Sequence, residues 1–243
     1  MYSPTRALNP AQEKAVKTTE GPLLIVAGAG TGKTTVITEK IAYLIQEKLA
    51  TPEQILALTF TEKAANEMRE RIDATLQLGY EDLHIATFHA FAQELLEGHG
   101  LAVGVPNRFR LLTQIDAWLL VREEFERFRL KYYRPLGNPN RHIHELLSHF
   151  GKCKDELISP ADYLAYAEGL KLDGDQVHND ERERCLEIAE AYHTYEQLLL
   201  EKQALDFASL MYHGVRLLKE RDDIRQKISK RFRYILVDEF QDV

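Results

Sequence analysis

The sequence predicts an α/β fold, a parallel sheet with crossover helices that is interrupted by an all-helical insert. Three observations carry this expectation. From Leu8 to about Thr113, short apolar runs alternate with longer stretches of helical period. From Gln114 to Arg184 the runs are amphipathic and helical, with nothing strand-like among them. The closing segment "FRYILVDEFQDV" then returns to an apolar strand of the buried type.

Taken in order, "PLLIVA" reads as a first strand and "TTVITEKIAYLIQEKL" as its crossover helix. "ILALTF" and "EKAANEMRERIDATL" repeat the unit, and "LHIATF" and "HAFAQELLEGHG" repeat it again. In the insert, "AWLLVREEFERFRLKYY" and "IHELLSHF" have helical spacing, and "RPLGNPNRH" breaks the chain between them. "SPADYLAYAEGL" opens with a Ser N-cap and Pro at the first helical position. The polar stretch "KLDGDQVHNDERER" reads as a loop, followed by a long helix from "CLEIAEAYHTYEQLLLEKQ" and a shorter one around "FASLMYHGVRLLKER". The expected division is residues 1–113 with 185–243 for the α/β part and 114–184 for the insert.

Composition narrows the function classes. The 243 residues are 44% hydrophobic and 28% charged, ordinary values for a chain with a core. No apolar run approaches the ~20 residues that span a bilayer, and no signal-type core opens the chain, so the expectation is a cytoplasmic protein with no membrane partner. The net charge of −7 argues against coating nucleic acid by bulk positive charge, so such a partner needs a local site. Cys153 and Cys185 are too few and too far apart for a disulfide framework or a cysteine metal cluster.

The chemistry concentrates at two places. After "PLLIVA" come Gly28, Ala29, Gly30, Thr31, Gly32, Lys33 and Thr34, and a helical pattern starts at once. A nucleoside triphosphate needs many donors pointing one way with little side-chain bulk. A glycine-rich turn feeding a helix N-terminus supplies them, with Lys33 for the β- and γ-phosphates and the Thr34 hydroxyl for Mg²⁺. Ala27 stands where the usual pattern begins with glycine. A dinucleotide loop fits worse, because Lys-Thr follows the last glycine and no acid closes a second strand. At the other end of the chain, Asp238 and Glu239 follow an apolar strand, placed to hold hydrated Mg²⁺ and to polarise an attacking water.

With these residues placed, the chain resembles the superfamily 1 DNA helicases of the Rep/UvrD/PcrA type from Leu8 to Val243. Six motifs stand in that family's order: "LNPAQ", "AGAGTGKT", "LTFTEKAANEMRERI", "IATFHAFAQELL", "LDFASL" and "VDEFQD". The resemblance implies a RecA-like ATP-binding half using ATP and Mg²⁺, with Gln12 pairing with the adenine edge and Gln241 coupling the γ-phosphate to the DNA track. It also implies 3′-to-5′ travel on single-stranded DNA, which Phe60, Thr61, Thr87 and His89 would contact. Residue chemistry supports the track in part, because Thr/Phe clusters at the C-terminal ends of strands offer hydroxyls for phosphates and ring faces for bases. Read without the family, Phe60 and Phe88 are core residues. Thr35 replaces the Arg that many relatives carry after Gly-Lys-Thr.

The family's motors have two RecA-like halves, and the resemblance covers one. It implies a partner half in cis or in trans, and a strand after the acidic box that lies between the strand leading to Lys33 and the one leading to Asp238. A chain stopping at Val243 is therefore expected to leave a gap in the sheet. A non-catalytic nucleotide- or DNA-binding fragment, or a split subunit, stands as the alternative to the N-terminal motor half. A transport or signalling ATPase fits poorly, since no LSGGQ-like signature occurs. "RFRLKYYRP" is open between a surface for duplex DNA and a solvated helix end. Lys152 and Lys154 read as solvated, and His142, His144 and His149 as surface or partly buried side chains.

Overall fold

The computed structural model describes residues 2, 4, 7–28, 30–76, 83–134, 137–138, 140–170 and 176–242. In chain order the elements are α1 (Pro10–Lys17), α2 (Lys33–Gln46), β1 (Ile55–Thr59), α3 (Glu62–Leu76), β2 (His84–Thr87), α4 (Phe88–His99), β3 (Arg110–Leu112) and α5 (Gln114–Glu123). They continue with α6 (Ile143–Asp155), α7 (Pro160–Gly169), α8 (Gln176–Glu201), β4 (Ala204–Asp206), α9 (Phe207–Glu220), α10 (Asp222–Arg231) and β5 (Tyr234–Val237). Two compact units result, one from Met1–Phe91 with Asp222–Val243 and one from Ala92–Arg221.

The first unit holds a parallel sheet in the order β2-β1-β5. Leu56 faces His84 on one side and Ile235 on the other, and the ladders run to Thr59 beside Thr87 and Leu58 beside Val237. All five residues of β1 are buried, as befits a central parallel strand covered on both faces. Alternation sorts its side chains. Ile55 and Ala57 join Ile41, Leu44, Met68 and Ile72 of α2 and α3, whereas Leu56 and Leu58 meet Phe232 and Phe88.

One expected strand does not form. Residues 22–27 carry no strand, and Leu24 and Val26 are 72% and 88% exposed. An extended run becomes a strand only by pairing its backbone, and among the described residues the sheet ends at β5.

The second unit packs its helices around Phe125, Phe128, Phe150, Tyr192, Tyr195 and Leu198, beside a two-stranded parallel β3-β4 pair. The rings of Phe150 and Tyr192 stack at 5.1 Å. Ser159 caps α7 with a reciprocal capping box through Asp162 and with Pro160 in the first turn, as its sequence announced. Helix α8 runs unbroken through the boundary expected at 184/185, so 176–184 is helix and not loop. The run expected to be one helix through Tyr133 instead ends at Glu123, and Arg129 turns the chain at φ 48°.

Lys154 corrects a further expectation, because it is 1% exposed. Its ammonium lies 2.7 Å from Glu196 and 2.9 Å from Asp206, and it donates to Ser209 Oγ at 2.8 Å. Asp206 also accepts from Tyr195 Oη at 2.8 Å and from the Ser209 amide at 2.7 Å, so it caps α9 as well. Burial works against the Lys154 charge, but the two carboxylates outweigh it and hold its pKa above the ordinary lysine value. Burial likewise opposes the Asp206 carboxylate, and Lys154 with Ser209 brings it net below the usual range. At Glu196 burial prevails and pushes the carboxyl up. Lys152, two residues away, is exposed as expected.

Candidate nucleotide site

The glycine-rich turn is shaped by its own backbone. Gly30 and Gly32 sit at φ 74° and 91°, the left-handed region that a β-carbon disfavours. Thr31 Oγ1 donates to Gly28 O at 2.7 Å and its amide reaches the same oxygen at 3.4 Å, which closes the turn. Helix α2 starts immediately afterwards at Lys33, and Gly32 at its N-cap has no side chain to take up the first amides. Uncapped amides at the positive end of a helix dipole are suited to an anion. Ala29 lies outside the described residues.

Strand β5 carries the acidic pair to this turn. The Asp238 amide donates to Leu58 O at 2.9 Å, extending the β1-β5 ladder by one bond and burying Asp238 to 4% exposure. Thr34 Oγ1 donates to Asp238 Oδ2 at 3.0 Å, across 204 residues of chain. Lys33 Nζ stands 3.7 Å from Glu239 Oε2. Strand alternation would send Asp238 and Glu239 to opposite sides, but Glu239 adopts φ 51° and both acids meet the same turn. The Glu239 amide folds back to Asp238 Oδ1 at 3.1 Å, and Gln241 Nε2 donates to Glu239.

The donor set suits a hard divalent cation. Thr34 and Asp238 offer two oxygens 3.0 Å apart, close to the edge of an octahedron with metal–oxygen bonds of about 2.1 Å. Among the described residues no group of three or more His, Cys, Asp or Glu is placed to hold a metal ion.

Gln12 arrives on α1. Asn9 caps that helix, and Gln12 completes the box by accepting from the Asn9 amide at 3.0 Å. Its Nε2 donates to Thr31 O at 3.0 Å, and a β-carbon at Gly32 would stand 3.2 Å from it. A carboxamide has two N–H donors and two lone pairs, and each of these bonds uses one. The second N–H and second lone pair are the match for the N6/N7 edge of adenine.

The four residues expected on a DNA track lie at the C-terminal ends of β1 and β2, Thr87 as the last residue of β2 and the others just beyond the strands, on the same edge of the sheet. Phe60 is 54% exposed, so its ring is a surface feature and not core. Thr61 Oγ1 accepts from the Ala64 amide at 3.1 Å and Thr87 Oγ1 from the Ala90 amide at 3.1 Å, capping α3 and α4. Thr87 is buried and donates to Glu62 Oε1 at 3.1 Å, which ties the two strand ends together. His89 is half-buried in the first turn of α4. Phe88 packs into the sheet face beside Phe232, a core role.

Sequence reasoning assigned no role to Glu62, to Lys40 or to the partners of Lys154. Glu62 follows a Thr N-cap, a local signal that was available; the other contacts join elements far apart in sequence and left none. In the second unit, Arg127 and Arg134 of the basic stretch are committed to Glu201 and Glu126, and the amides of 131–133 to Glu187. His142 bonds Glu145, and His149 bonds Tyr163 at 3.1 Å.

A glycine-rich turn opening a helix, an acid-bearing strand end beside it and hydroxyl- and ring-bearing strand ends on one sheet edge are thus brought together in the first unit. The UvrD/REP helicase N-terminal domain matches residues 8–243, and the chain belongs to that family. It is 36% identical over 237 residues to the ATP-dependent DNA helicase PcrA of Bacillus subtilis, a match covering 97% of this chain and 29% of that protein. A probable DNA helicase II homologue of Rickettsia conorii is 36% identical over 97% of the chain and 33% of its own length. The PcrA of Leuconostoc citreum is 35% identical over 98% and 29%. The chain thus spans about a third of the length of the relatives it matches. Among the described residues no helix is long and apolar enough to cross a membrane.

Proposed function

We propose that these residues form the N-terminal, RecA-like motor half of an ATP-dependent 3′-to-5′ DNA helicase. The observation that carries the reading is the meeting of Thr34 with Asp238 and of Lys33 with Glu239, two pairs drawn from opposite ends of the chain. Gln12 takes the adenine edge, and the amides of 28–34 take the phosphates. Lys33 draws charge from the β- and γ-phosphates, and Thr34 with Asp238 holds Mg²⁺ and its waters. When bound, Mg²⁺ neutralises charge on the phosphates as the terminal bond breaks. Glu239 orients the attacking water and accepts its proton. In the ground state its carboxylate rests 3.7 Å from the Lys33 ammonium, which keeps it beside the turn. Gln241, bonded to Glu239, passes the state of the γ-phosphate to the strand-end edge.

On that edge Phe60 offers a ring face to bases and Thr61 and His89 offer polar atoms to single-stranded DNA, while Thr87, buried with its hydroxyl committed to Glu62 and the Ala90 amide, holds the strand ends that carry them. The second RecA-like half, in cis or in trans, supplies the cationic groups that close over the γ-phosphate, an effect of roughly 10³–10⁵ in rate. Duplex contact belongs to the helical second unit, and the assembled motor works in the cytoplasm. The unladdered segment 22–27 and the exposed β5 edge favour a second reading for these residues alone, a nucleotide-binding fragment or split subunit awaiting that half.

Mg-ATP binding and turnover, with and without single-stranded DNA and beside Lys33→Ala, tests both. Binding that Lys33→Ala abolishes, with little turnover, is the expected result. DNA-stimulated turnover lost in Lys33→Ala would show a self-sufficient site and remove the second reading. Wild-type binding no tighter than that of Lys33→Ala would overturn both.

A further inference from the structure

Helix α1 is fastened at its N-terminal end to the glycine-rich turn that leads into α2 and at its C-terminal end to α2 itself. At the N-terminal end the fastening is Gln12 Nε2 on Thr31 O. At the C-terminal end it is Lys40, whose ammonium leaves α2 to donate to Ala15 O at 3.0 Å and to Thr18 O. Thr18 already returns its own amide and hydroxyl to Lys14 O, at 3.0 and 2.8 Å. The last carbonyls of α1 are therefore satisfied partly by a cation from another helix, at the negative end of the helix dipole where a cation is most favourable. Between the two fastenings Val16 is completely buried. Lys40 is half-buried, and burial lowers its pKa, so its ammonium is costly to place there and depends on the carbonyls it meets. On the preceding residue of α2, the buried Glu39 accepts from Tyr2 Oη at 2.6 Å, a further tether from the N-terminal segment.

From this geometry we infer that Lys40 is a positioning residue for base selection: it fixes α1 along α2, so that the second N–H and lone pair of Gln12 face the nucleobase. The inference rests on the reading of Gln12 as the adenine contact. It assigns separate jobs to two turns of one helix. The first turn of α2, with Lys33 and Thr34, answers for the phosphates, and the next answers for the base by holding the helix that reads it. Removing the Lys40 ammonium lets α1 pivot about Val16 and leaves the phosphate loop in place.

The test is equilibrium binding of Mg-ATP, Mg-GTP and Mg-tripolyphosphate to the whole chain, in wild type, Lys40→Met, Lys40→Arg and Gln12→Ala. The preference for ATP over GTP should fall about tenfold in Lys40→Met, the loss expected when base contacts are misaligned. Tripolyphosphate affinity should stay within about twofold, which also shows that the variant has folded. Lys40→Arg, whose guanidinium donates to the same carbonyls, should restore the preference, and Gln12→Ala should lose it as Lys40→Met does. An unchanged preference in Lys40→Met overturns the inference. So does a parallel loss of tripolyphosphate binding, which would make Lys40 a support of the loop. If the wild type has no preference, or Gln12→Ala keeps it, the adenine reading of Gln12 itself fails.

Discussion

The two units contain the same four chemical parts, a lysine, two carboxylates and a hydroxyl, in opposite states of completion. In the second unit Lys154 has no exposed side-chain surface, and its three N–H donors have Glu196, Asp206 and Ser209 within 2.7–2.9 Å. In the first, Lys33 keeps 26% and Glu239 39% of their side-chain surface in solvent, and their charged atoms stand 3.7 Å apart. A closed set holds helices together. The open pair of Lys33 and Glu239, spaced a little beyond hydrogen-bond length beside a helix N-terminus, keeps donors and acceptors for something that arrives, even though Thr34 and Asp238 next to it are already bonded.

The largest effect that would break this comparison belongs to the closed set. Lys154→Met should leave Glu196 and Asp206 buried without their cation and cost about 3–5 kcal/mol, read from urea denaturation. A loss under about 1 kcal/mol would mean that the cluster is wetter than its geometry. The next sharpens it through pH. Burial, then Lys154 and Arg216, lowers the His213 pKa from 6.5 to about 4. The unfolded chain therefore binds the extra proton between those values. Stability is full above pH ~6.5 and is lost as pH falls towards ~4, by on the order of 3 kcal/mol at most. His149, also lowered by burial and then by Lys152, adds in the same direction. His213→Gln should flatten this slope in a pH series of denaturation midpoints.

A smaller loss is expected at the strand-end edge. Thr87→Val removes the α4 cap and the bond to Glu62 and should cost about 1 kcal/mol, seen as a lowered thermal midpoint. The smallest falls on the open set. Lys33→Ala should shift stability by less than ~0.5 kcal/mol, since its exposed pair contributes little, yet weaken Mg-ATP by roughly 100-fold in the same preparation. A stability loss as large as that of Lys154→Met would put both sets in one class and end the comparison.

The same contrast explains what could be read in advance. Ser159 with Asp162, and Gly32 with Lys33, are signals within a few residues, where local backbone chemistry decides the outcome. The apolar run 22–27 has the composition of a strand, but strand identity resides in a ladder partner that no window of sequence contains. Residues 176–184 are polar enough to pass for a loop, and they are helical as the first turns of the 26-residue α8. Lys154 sits in a basic-looking stretch whose solvation is decided by Glu196 and Asp206, 42 and 52 positions away. The glycine-rich turn and the helix that starts at Lys33 were legible because their signal is local, whereas the Lys40 fastening joins two helices that no short window contains.

The bond between Thr34 and Asp238 closes across 204 residues, with the whole second unit in the intervening chain. Its formation carries the entropic delay of a very long closure, so the turn and the acids meet only after the flanking pieces have taken shape. On the proposed reading, Mg-ATP would find its site in the finished first unit and in nothing earlier on the pathway. The ligand should act as a lock on the folded state, slowing unfolding in proportion to its concentration and leaving the refolding rate untouched.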